Sequence, residues 1–309
     1  LEEAIAPSIV FFGTPPFAAQ ILNDLIDHKI PIRGVVSQPD RPKGRSLQMA
    51  QSPVKEIALE RLAGVPLFQP EKSSNPEFLS ELAALAADLY VVVAFGQILP
   101  QKLLQIPPLG CINVHASLLP KYRGAAPIQR PLLNGDKETG VSIQKMVREL
   151  DAGDVICKEK IAIPEEMTYG ELEQALCDLS KPLLLTVLYT YGRGIPPAVP
   201  QDPAQVTFAP KIAMEETEVK WEKDVRDLHN QIRAFNPRPG AWCWIEWKGE
   251  KKRLKIFRAR VVSDRESINK ELIVQCGCGA LQLLEVQMEG KPRCLAEDWL
   301  RGARSAPKF

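Results

Sequence analysis

The sequence predicts an α/β protein: a mainly parallel sheet with helices on both faces, followed by a small C-terminal β-barrel. Three observations carry that expectation. Strand-length apolar runs alternate with helical patterns through the first part of the chain, as in Ser8–Phe12, Ile30–Val36 and Leu89–Phe95. That alternation is the signature of parallel strands joined by helical crossovers. Leu89–Phe95 is apolar almost throughout instead of every second residue, as expected where a strand is covered on both faces. From Ala241 onward the pattern changes to short strands with turns at Lys248-Gly249, Cys276-Gly277 and Glu289-Gly290, which suits a small barrel.

Composition bounds the function classes. The chain has 309 residues, enough for two cores, and its 45% apolar and 25% charged residues are those of a globular protein. No apolar run is long enough to span a membrane. The formal net charge is +1, so any contact with a polyanion must come from a local patch. The seven Cys are scattered, and only Cys276 and Cys278 are close, at a spacing unlike a zinc site. This predicts a reducing compartment, no disulfide framework and no metal. Three His (His28, His115, His229) are the candidates for proton transfer near neutral pH. There is no basic-then-apolar signal at the start. The chain opens at Leu1 and not Met, which leaves a cytoplasmic protein and a trimmed organellar form as readings.

The elements follow in order. Ser8–Phe12 is a buried strand ended by Gly13-Thr14-Pro15-Pro16, where Thr14 is placed to cap a helix running to about Asp27. Ile30–Val36 completes a βαβ unit. No G-x-G-x-x-G follows the first strand, so a dinucleotide fingerprint is absent. Gln38 to Pro53 is a long loop carrying Arg41, Lys43 and Arg45, readable as a solvated surface or as an arm for a phosphate backbone. Helices are expected at Val54–Leu62 and Glu77–Ala87, then the strand at 89–95 ended by Gly96, a short helix near Pro100–Leu104, a helix at Ala126–Leu133 and a strand at Gly140–Met146. A polar turn, Glu149–Asp154, separates two apolar segments. Thr168–Thr190 is a long helix opening on a Thr168…Glu171 capping box. Tyr191–Pro210, rich in Gly and Pro, reads as a semi-rigid linker. A helix at Glu222–Ala234 precedes the barrel. Residues 241–260 hold seven basic side chains against two acidic, beside Trp242, Trp244 and Trp247. A solvated strand face or a nucleic-acid surface both fit that pattern.

The chemistry concentrates in Gly110–Gly124. Cys111-Ile112-Asn113-Val114-His115 reads as a strand whose Asn113 and His115 share one face, and Pro120 and Gly124 stop it. That places an amide and an imidazole at the carboxyl end of a strand, where open α/β sheets bind ligands. Asn is an uncharged donor suited to a developing oxyanion, and His can take and return a proton. Asp151, from the later turn, is the carboxylate that could orient the imidazole and favour its charged form. No Ser, Cys or Lys lies in a nucleophile motif, and Cys111 reads as buried filler. The set therefore suits direct attack by an amine on a carbonyl. A structural reading stands beside it: a hydrogen-bonded strand histidine, and Asp151 and Asp154 as turn formers.

His115-Ala116-Ser117-Leu118-Leu119-Pro120-Lys121-Tyr122-Arg123-Gly124, preceded by Asn113 and followed by Leu150-Asp151-Ala152-Gly153-Asp154, resembles the 10-formyltetrahydrofolate-dependent formyltransferases. Phe12-Gly13-Thr14-Pro15, Gln38-Pro39-Asp40-Arg41-Pro42, Ser52-Pro53-Val54-Lys55, Ala94-Phe95-Gly96, Gly124–Gln129 and Arg233-Ala234-Phe235-Asn236-Pro237 are similar to the members that act on methionyl-tRNA, so the resemblance covers nearly the whole chain. It implies a Rossmann-like catalytic domain over 1–190 that binds the formyl-folate, a linker over 191–212 and an OB-like tRNA-binding domain over 213–309. It further implies that Asn113, His115 and Asp151 are catalytic. Ser117, Leu118, Leu119 and Pro120 would border the folate, with Phe95 and Gly96 on its pterin side. Arg41, Lys43 and Arg45 would reach the tRNA from the 38–53 loop, Arg45 nearest the acceptor end, and Lys251, Lys252 and Arg253 would meet it from the barrel.

The implied reaction is formyl transfer from 10-formyltetrahydrofolate to the α-amino group of initiator methionyl-tRNA, by a monomer that needs no metal or membrane. The alternatives are transfer to a small amine such as glycinamide ribonucleotide or an amino sugar, hydrolysis of formyl-folate, and a non-catalytic RNA-binding protein on the same scaffold. A small acceptor requires neither the loop nor the basic barrel, and a non-catalytic protein does not require the intact trio. One departure is plain: the family's loop is often more basic after the Gly-Arg pair, whereas Ser46–Gln51 contains no lysine here.

Overall fold

A computed structural model describes residues 5–43, 48–262, 272–301 and 308–309. The chain folds as two compact units that are not continuous in sequence. The first comprises Leu1–Gly124, Gly140–Ile161 and Gln174–Phe208, and the second Ala125–Thr139, Ala162–Glu173 and Ala209–Phe309.

The first unit is built on a seven-stranded sheet. In chain order its elements are β1 (Ile9–Gly13), α1 (Pro16–Asp27), β2 (Ile32–Val36), the short β3 (Arg41–Lys43) and β4 (Gln48–Ala50), α2 (Pro53–Arg61), β5 (Leu67–Phe68), α3 (Pro76–Ala84), β6 (Leu89–Val93), α4 (Gln101–Leu104) and β7 (Cys111–His115). The chain then runs through β8 (Arg123–Gly124), α5 (Gln129–Leu133), which belongs to the second unit, β9 (Glu138–Lys145), β10 (Val155–Ala162), α6 (Tyr169–Tyr191), whose residues up to Glu173 belong to the second unit, and β11 (Phe208–Ala209). The strand order is β10-β9-β7-β6-β1-β2-β5. From β5 to β7 all pairs are parallel, and β9 adds antiparallel to β7.

Every residue of β1, β6 and β7 is buried, which is why these stretches are apolar on both faces of the pleat. Val10, Phe12, Tyr90 and Val92 form one core layer with Phe78 and Leu82 of α3. The Tyr90 hydroxyl, carried into that layer, donates to the Leu82 carbonyl at 3.3 Å. The strand order reverses direction between β1 and β6, so their carboxyl ends flank a crevice of the kind that holds ligands in open sheets. Thr14 spans it. Contrary to expectation, Thr14 does not cap α1, whose N-cap is Pro15 without a side-chain bond. Its hydroxyl instead donates to the carbonyl of Phe95 at 2.9 Å, tying the exits of β1 and β6 together.

Other expectations shift in detail. The 38–53 loop pairs with itself, Arg41 opposite Ala50 and Lys43 opposite Gln48. The helices at 77–87 and 126–133 are shorter than their apolar patterns, at Pro76–Ala84 and Gln129–Leu133. α3 starts where the Asn75 side chain accepts from the Glu77 and Phe78 amides at 2.9 and 3.4 Å, and a positive φ of 47° at Ala86 follows its end. Of the stretch expected as a linker, the residues up to Phe208 belong to the first unit. Val199 exchanges backbone hydrogen bonds with Val155, both at 2.9 Å, and Thr207 accepts from the Tyr122 and Arg123 amides at 2.9 Å each.

The second unit contains α7 (Val225–Ala234) and an antiparallel sheet of β12 (Ala241–Trp247), β13 (Glu250–Val262), β14 (Leu272–Gln275), β15 (Ala280–Met288) and β16 (Cys294–Leu295), closed by α8 (Ala296–Arg301). β13 pairs with β12 through its first half and with β15 through its second, and irregular register at Ile256–Ala259 marks the change. The Thr168 capping box forms as expected: its amide donates to Glu171 at 2.8 Å and its hydroxyl accepts from the Glu171 amide at 3.4 Å. Among the described residues no helix is long and apolar enough to cross a membrane.

One carboxylate fastens the start of the sheet. Asp88 accepts from the Ser8 hydroxyl at 2.6 Å and the Ser8 amide at 2.8 Å, joining the chain just before β1 to the chain just before β6. The Ser8 hydroxyl, then the Ser8 amide, hold its pKa below the ordinary carboxylate value. A depressed folded pKa means that this stabilisation is complete above the unfolded pKa of about 4 and is lost as pH falls through the folded value. Asp88→Asn should therefore flatten the acid side of the plot of urea midpoint against pH, below about pH 4. An acid limb as steep as wild type would assign that loss to other groups.

Candidate active site

The site starts from strand pairing. Asn113 and His115 lie on one face of β7, and the antiparallel register places Gln144 and Ser142 of β9 directly opposite them. Four polar side chains thus share a face in the interior of a sheet, where cross-strand neighbours touch. All four are buried. Val114 and Ile143 pair on the other face, in the apolar core.

Asp151 joins them from the turn between β9 and β10. Its backbone is left-handed, with φ of 49°, and its side chain points back at the sheet. Gly153 lets the turn close, because a Cβ there would overlap the carbonyl oxygen of Lys145. The Asp151 carboxylate accepts from the Gly124 amide at 2.8 Å, from Gln144 Nε2 at 3.1 Å and from Asn113 Nδ2 at 3.4 Å. His115 Nδ1 is 3.7 Å from the same carboxylate, and both side chains are nearly buried, 6% and 11% exposed. The other ring nitrogen, Nε2, contacts the Tyr122 carbonyl at 2.9 Å. A carbonyl can only accept, so this bond assigns the proton to Nε2 and leaves Nδ1, on the Asp151 side, as the nitrogen that can take one.

The three residues expected as a catalytic trio are therefore brought together. Asn113 keeps a second N–H beyond its long bond to Asp151. Sequence reasoning missed Gln144, the Gly124 amide and the Tyr122 carbonyl. A glutamine at the buried phase of a strand was the one visible signal; the others depend on tertiary contacts.

The residues expected around the folate fall into two groups. Ser117–Pro120 leave the end of β7 in a bonded turn. Ser117 donates to the Lys121 carbonyl at 2.6 Å, and Ser142 Oγ links the Ser117 carbonyl to the Leu119 amide at 2.7 and 3.0 Å. Leu118 and Pro120 belong to the same turn. Phe95 and Gly96 follow β6, next to β7 in the sheet. The Phe95 ring is buried against Phe12, 5.5 Å between centroids, so it packs the core instead of facing a crevice. Its carbonyl and the positive φ of Gly96 (93°) shape the exit of β6. At Gly96 the three atoms nearest to where a Cβ would be all belong to the Gln38 side chain, at 3.8–3.9 Å.

Of the expected tRNA contacts, Arg41 is exposed and paired with Glu71 at 2.7 Å. Lys43 is described through its backbone alone, and Arg45 lies outside the described residues. In the second unit the register sorts the basic residues. Lys251 and Arg253 stand opposite Glu246 and Trp244, on the outer face. Lys251 Nζ lies 4.8 Å over the Trp244 ring and the Arg253 guanidinium 5.5 Å over Trp242. Lys252 stands opposite buried Ile245 and pairs with Glu250 at 2.8 Å, so it does not share that face. Among the described residues no group of three or more His, Cys, Asp or Glu could hold a metal ion.

The chain matches the model of the formyl transferase family over residues 7–188 and that of the formyl transferase C-terminal domain over residues 211–304. It is 49% identical to the methionyl-tRNA formyltransferase of Protochlamydia amoebophila, over 95% of this chain and 94% of that one. It is 42% identical to the methionyl-tRNA formyltransferase of Moorella thermoacetica, over 97% of each. Among solved structures it resembles HypX from Aquifex aeolicus in complex with tetrahydrofolic acid, with a TM-score of 0.65 at 15% identity, over 96% of this chain and 47% of that one. It also resembles WlaRD, a sugar 3N-formyl transferase, with a TM-score of 0.64 at 16% identity, over 93% and 99% of the two chains. At those identities the structures show a shared fold.

Burial pushes the Cys111 thiol up to about 12, which removes it as a nucleophile at neutral pH. Cys111→Ala should keep turnover within about threefold of wild type, and iodoacetamide at pH 8 should leave Cys111 unlabelled in the folded protein. Inactivation that tracks labelling of Cys111 would contradict this.

Proposed function

The chain belongs to the formyl transferase family, and from that premise we propose that it transfers the formyl group of 10-formyltetrahydrofolate to the α-amino group of methionine carried by initiator tRNA. One observation supports the chemistry above the rest: a single, largely buried carboxylate draws Asn113 Nδ2 and His115 Nδ1 to within 3.4 and 3.7 Å at the carboxyl end of β7.

The roles follow from the atoms available. A free α-amine has a pKa near 8, so a useful fraction is neutral at pH 7. Its lone pair attacks the formyl carbon, and the carbonyl π electrons move onto the formyl oxygen. Asn113 supplies the first donor to that oxygen through its second N–H. His115 Nδ1 takes the amine proton, directly or through a water held by Asp151, and the imidazolium formed is stabilised by the Asp151 carboxylate. The same proton then goes to the folate nitrogen as its bond to the formyl carbon breaks. Ser117–Pro120 and the exit of β6 at Phe95-Gly96 are the segments that would border the folate.

For the acceptor, the outer face of β12 and β13 supports a tRNA reading. Lys251 and Arg253 alternate there with Trp242 and Trp244, a mixture of cations and rings suited to a nucleic-acid strand. Arg41 is one salt bridge away from being available, and such an exposed pair contributes about 0–1 kcal/mol. Arg45 and Lys43 complete the same arm in this reading. The catalytic part is assigned to the first unit and the tRNA-facing part to the second. The family resemblance carries with it a monomeric, cytoplasmic enzyme.

Loss of one oxyanion donor typically costs 10²–10³ in rate. Asn113→Ala should lower turnover by about that factor while folate binding, read by fluorescence titration, stays at the wild-type level. Formyl-folate offered in parallel with charged initiator tRNA, free methionine and glycinamide ribonucleotide should formylate the tRNA alone. Activity confined to a small amine would overturn the tRNA reading.

A further inference from the structure

Asp151 is aimed by its own turn, and that turn is braced by a residue far along the chain. The carboxamide of Gln201 donates from Nε2 to the Asp151 carbonyl at 2.8 Å and to the Gly153 carbonyl at 2.7 Å. It also lies 3.3 Å from Gln144 Oε1, and Gln144 Nε2 in turn donates to the Asp151 carboxylate at 3.1 Å. On its other side, Gln201 Oε1 accepts two guanidinium bonds from Arg123, from Nε at 3.0 Å and Nη2 at 2.8 Å. Arg123 is flanked by the two backbone groups that touch the trio. The Tyr122 carbonyl accepts from His115 Nε2 and the Gly124 amide donates to Asp151 Oδ2. One side chain therefore bridges the loop that fixes His115 and the turn that fixes Asp151.

We propose that Gln201 is a positioning residue for the formyl transfer, holding Asp151 in register with His115 and Asn113. The inference rests on the catalytic reading of that trio. Three features favour a positioning role. Both hydrogen-bonding ends of the carboxamide are used, donor toward the turn and acceptor toward Arg123, so no other side chain of this size reproduces the bridge. Asp151 adopts a left-handed backbone that a non-glycine residue rarely takes, so the turn needs external support. The bonds from Gln201 fall on the carbonyls of residues 151 and 153, so they hold the peptide that directly follows Asp151 and the one two residues further on. Gln201 reaches no reacting atom and acts through Asp151.

Two variants test this in the full-length protein. Gln201→Leu removes every bond of the bridge. Gln201→Glu keeps an acceptor for Arg123 but replaces the N–H donors with oxygen facing two carbonyls. Small displacements of a catalytic group can cost about 10²-fold in rate. Each variant should lower kcat by about that factor, with the KM for the formyl donor and the thermal midpoint at wild-type values. In an Asp151→Asn background, adding Gln201→Leu should cause little further loss, because residues that act through one group are not additive. Wild-type kcat in both variants would overturn the proposal, as would losses that multiply in the double variant or a kcat loss matched by a fall in thermal midpoint. If Asp151→Asn alone keeps wild-type kcat, the catalytic assignment of the trio fails, and that outcome is read independently of Gln201.

Discussion

The placement of one largely buried carboxylate is the constraint on which the site depends. Asp151 has a left-handed backbone, which costs a non-glycine residue about 1–2 kcal/mol. Hydrogen bonds to a charged group contribute about 1.5–3 kcal/mol each, and the carboxylate takes one from the Gly124 amide and one from Gln144. These bonds outweigh the backbone cost and fix the direction of the charge. Without Gly153 the turn could not approach β9, and without the β7–β9 register Gln144 would not face Asn113. Sheet pairing, turn closure and the site are therefore one structural problem.

That constraint also shapes the chemistry. Around Asp151 the sheet gathers an amide, an imidazole with a free lone pair and a second amide, and each is a donor or a base. The neighbouring thiol, Cys111, is held protonated by burial. The Ser117 hydroxyl is committed to the Lys121 carbonyl. Such a set can stabilise charge and carry a proton, which is what direct transfer between a bound donor and a bound amine requires.

Much of this is legible in the sequence, and the limits of legibility are physical. The period-two alternation of Cys111–His115 alone places Asn113 and His115 on one face. The apolar density of β1 and β6 predicts a doubly covered sheet for the same reason. Gln144 is half visible, as a polar residue at a buried phase, but its partner depends on register. Gln201 is invisible, because it lies in a Gly- and Pro-rich stretch that reads as linker and its contacts are long-range. Thr14 has the composition of a helix cap but bonds across the sheet instead, since Phe95 offers a carbonyl at 2.9 Å. In the second unit a run of adjacent basic residues reads as one patch, while strand pairing splits it: Lys251 and Arg253 lie on the face of the tryptophans, and Lys252, its side chain also solvent-exposed, on the other.

The central claim is that the formyl group passes directly from donor to amine within the site organised by Asp151. A rapid acid quench of a single turnover, with label in the formyl group of the folate donor and charged initiator tRNA as acceptor, tests it most directly. The account predicts that label lost from the folate appears on the aminoacyl-tRNA at the same rate, with none bound to protein. A protein-bound fraction that rises before the tRNA is labelled and decays as it is would contradict it.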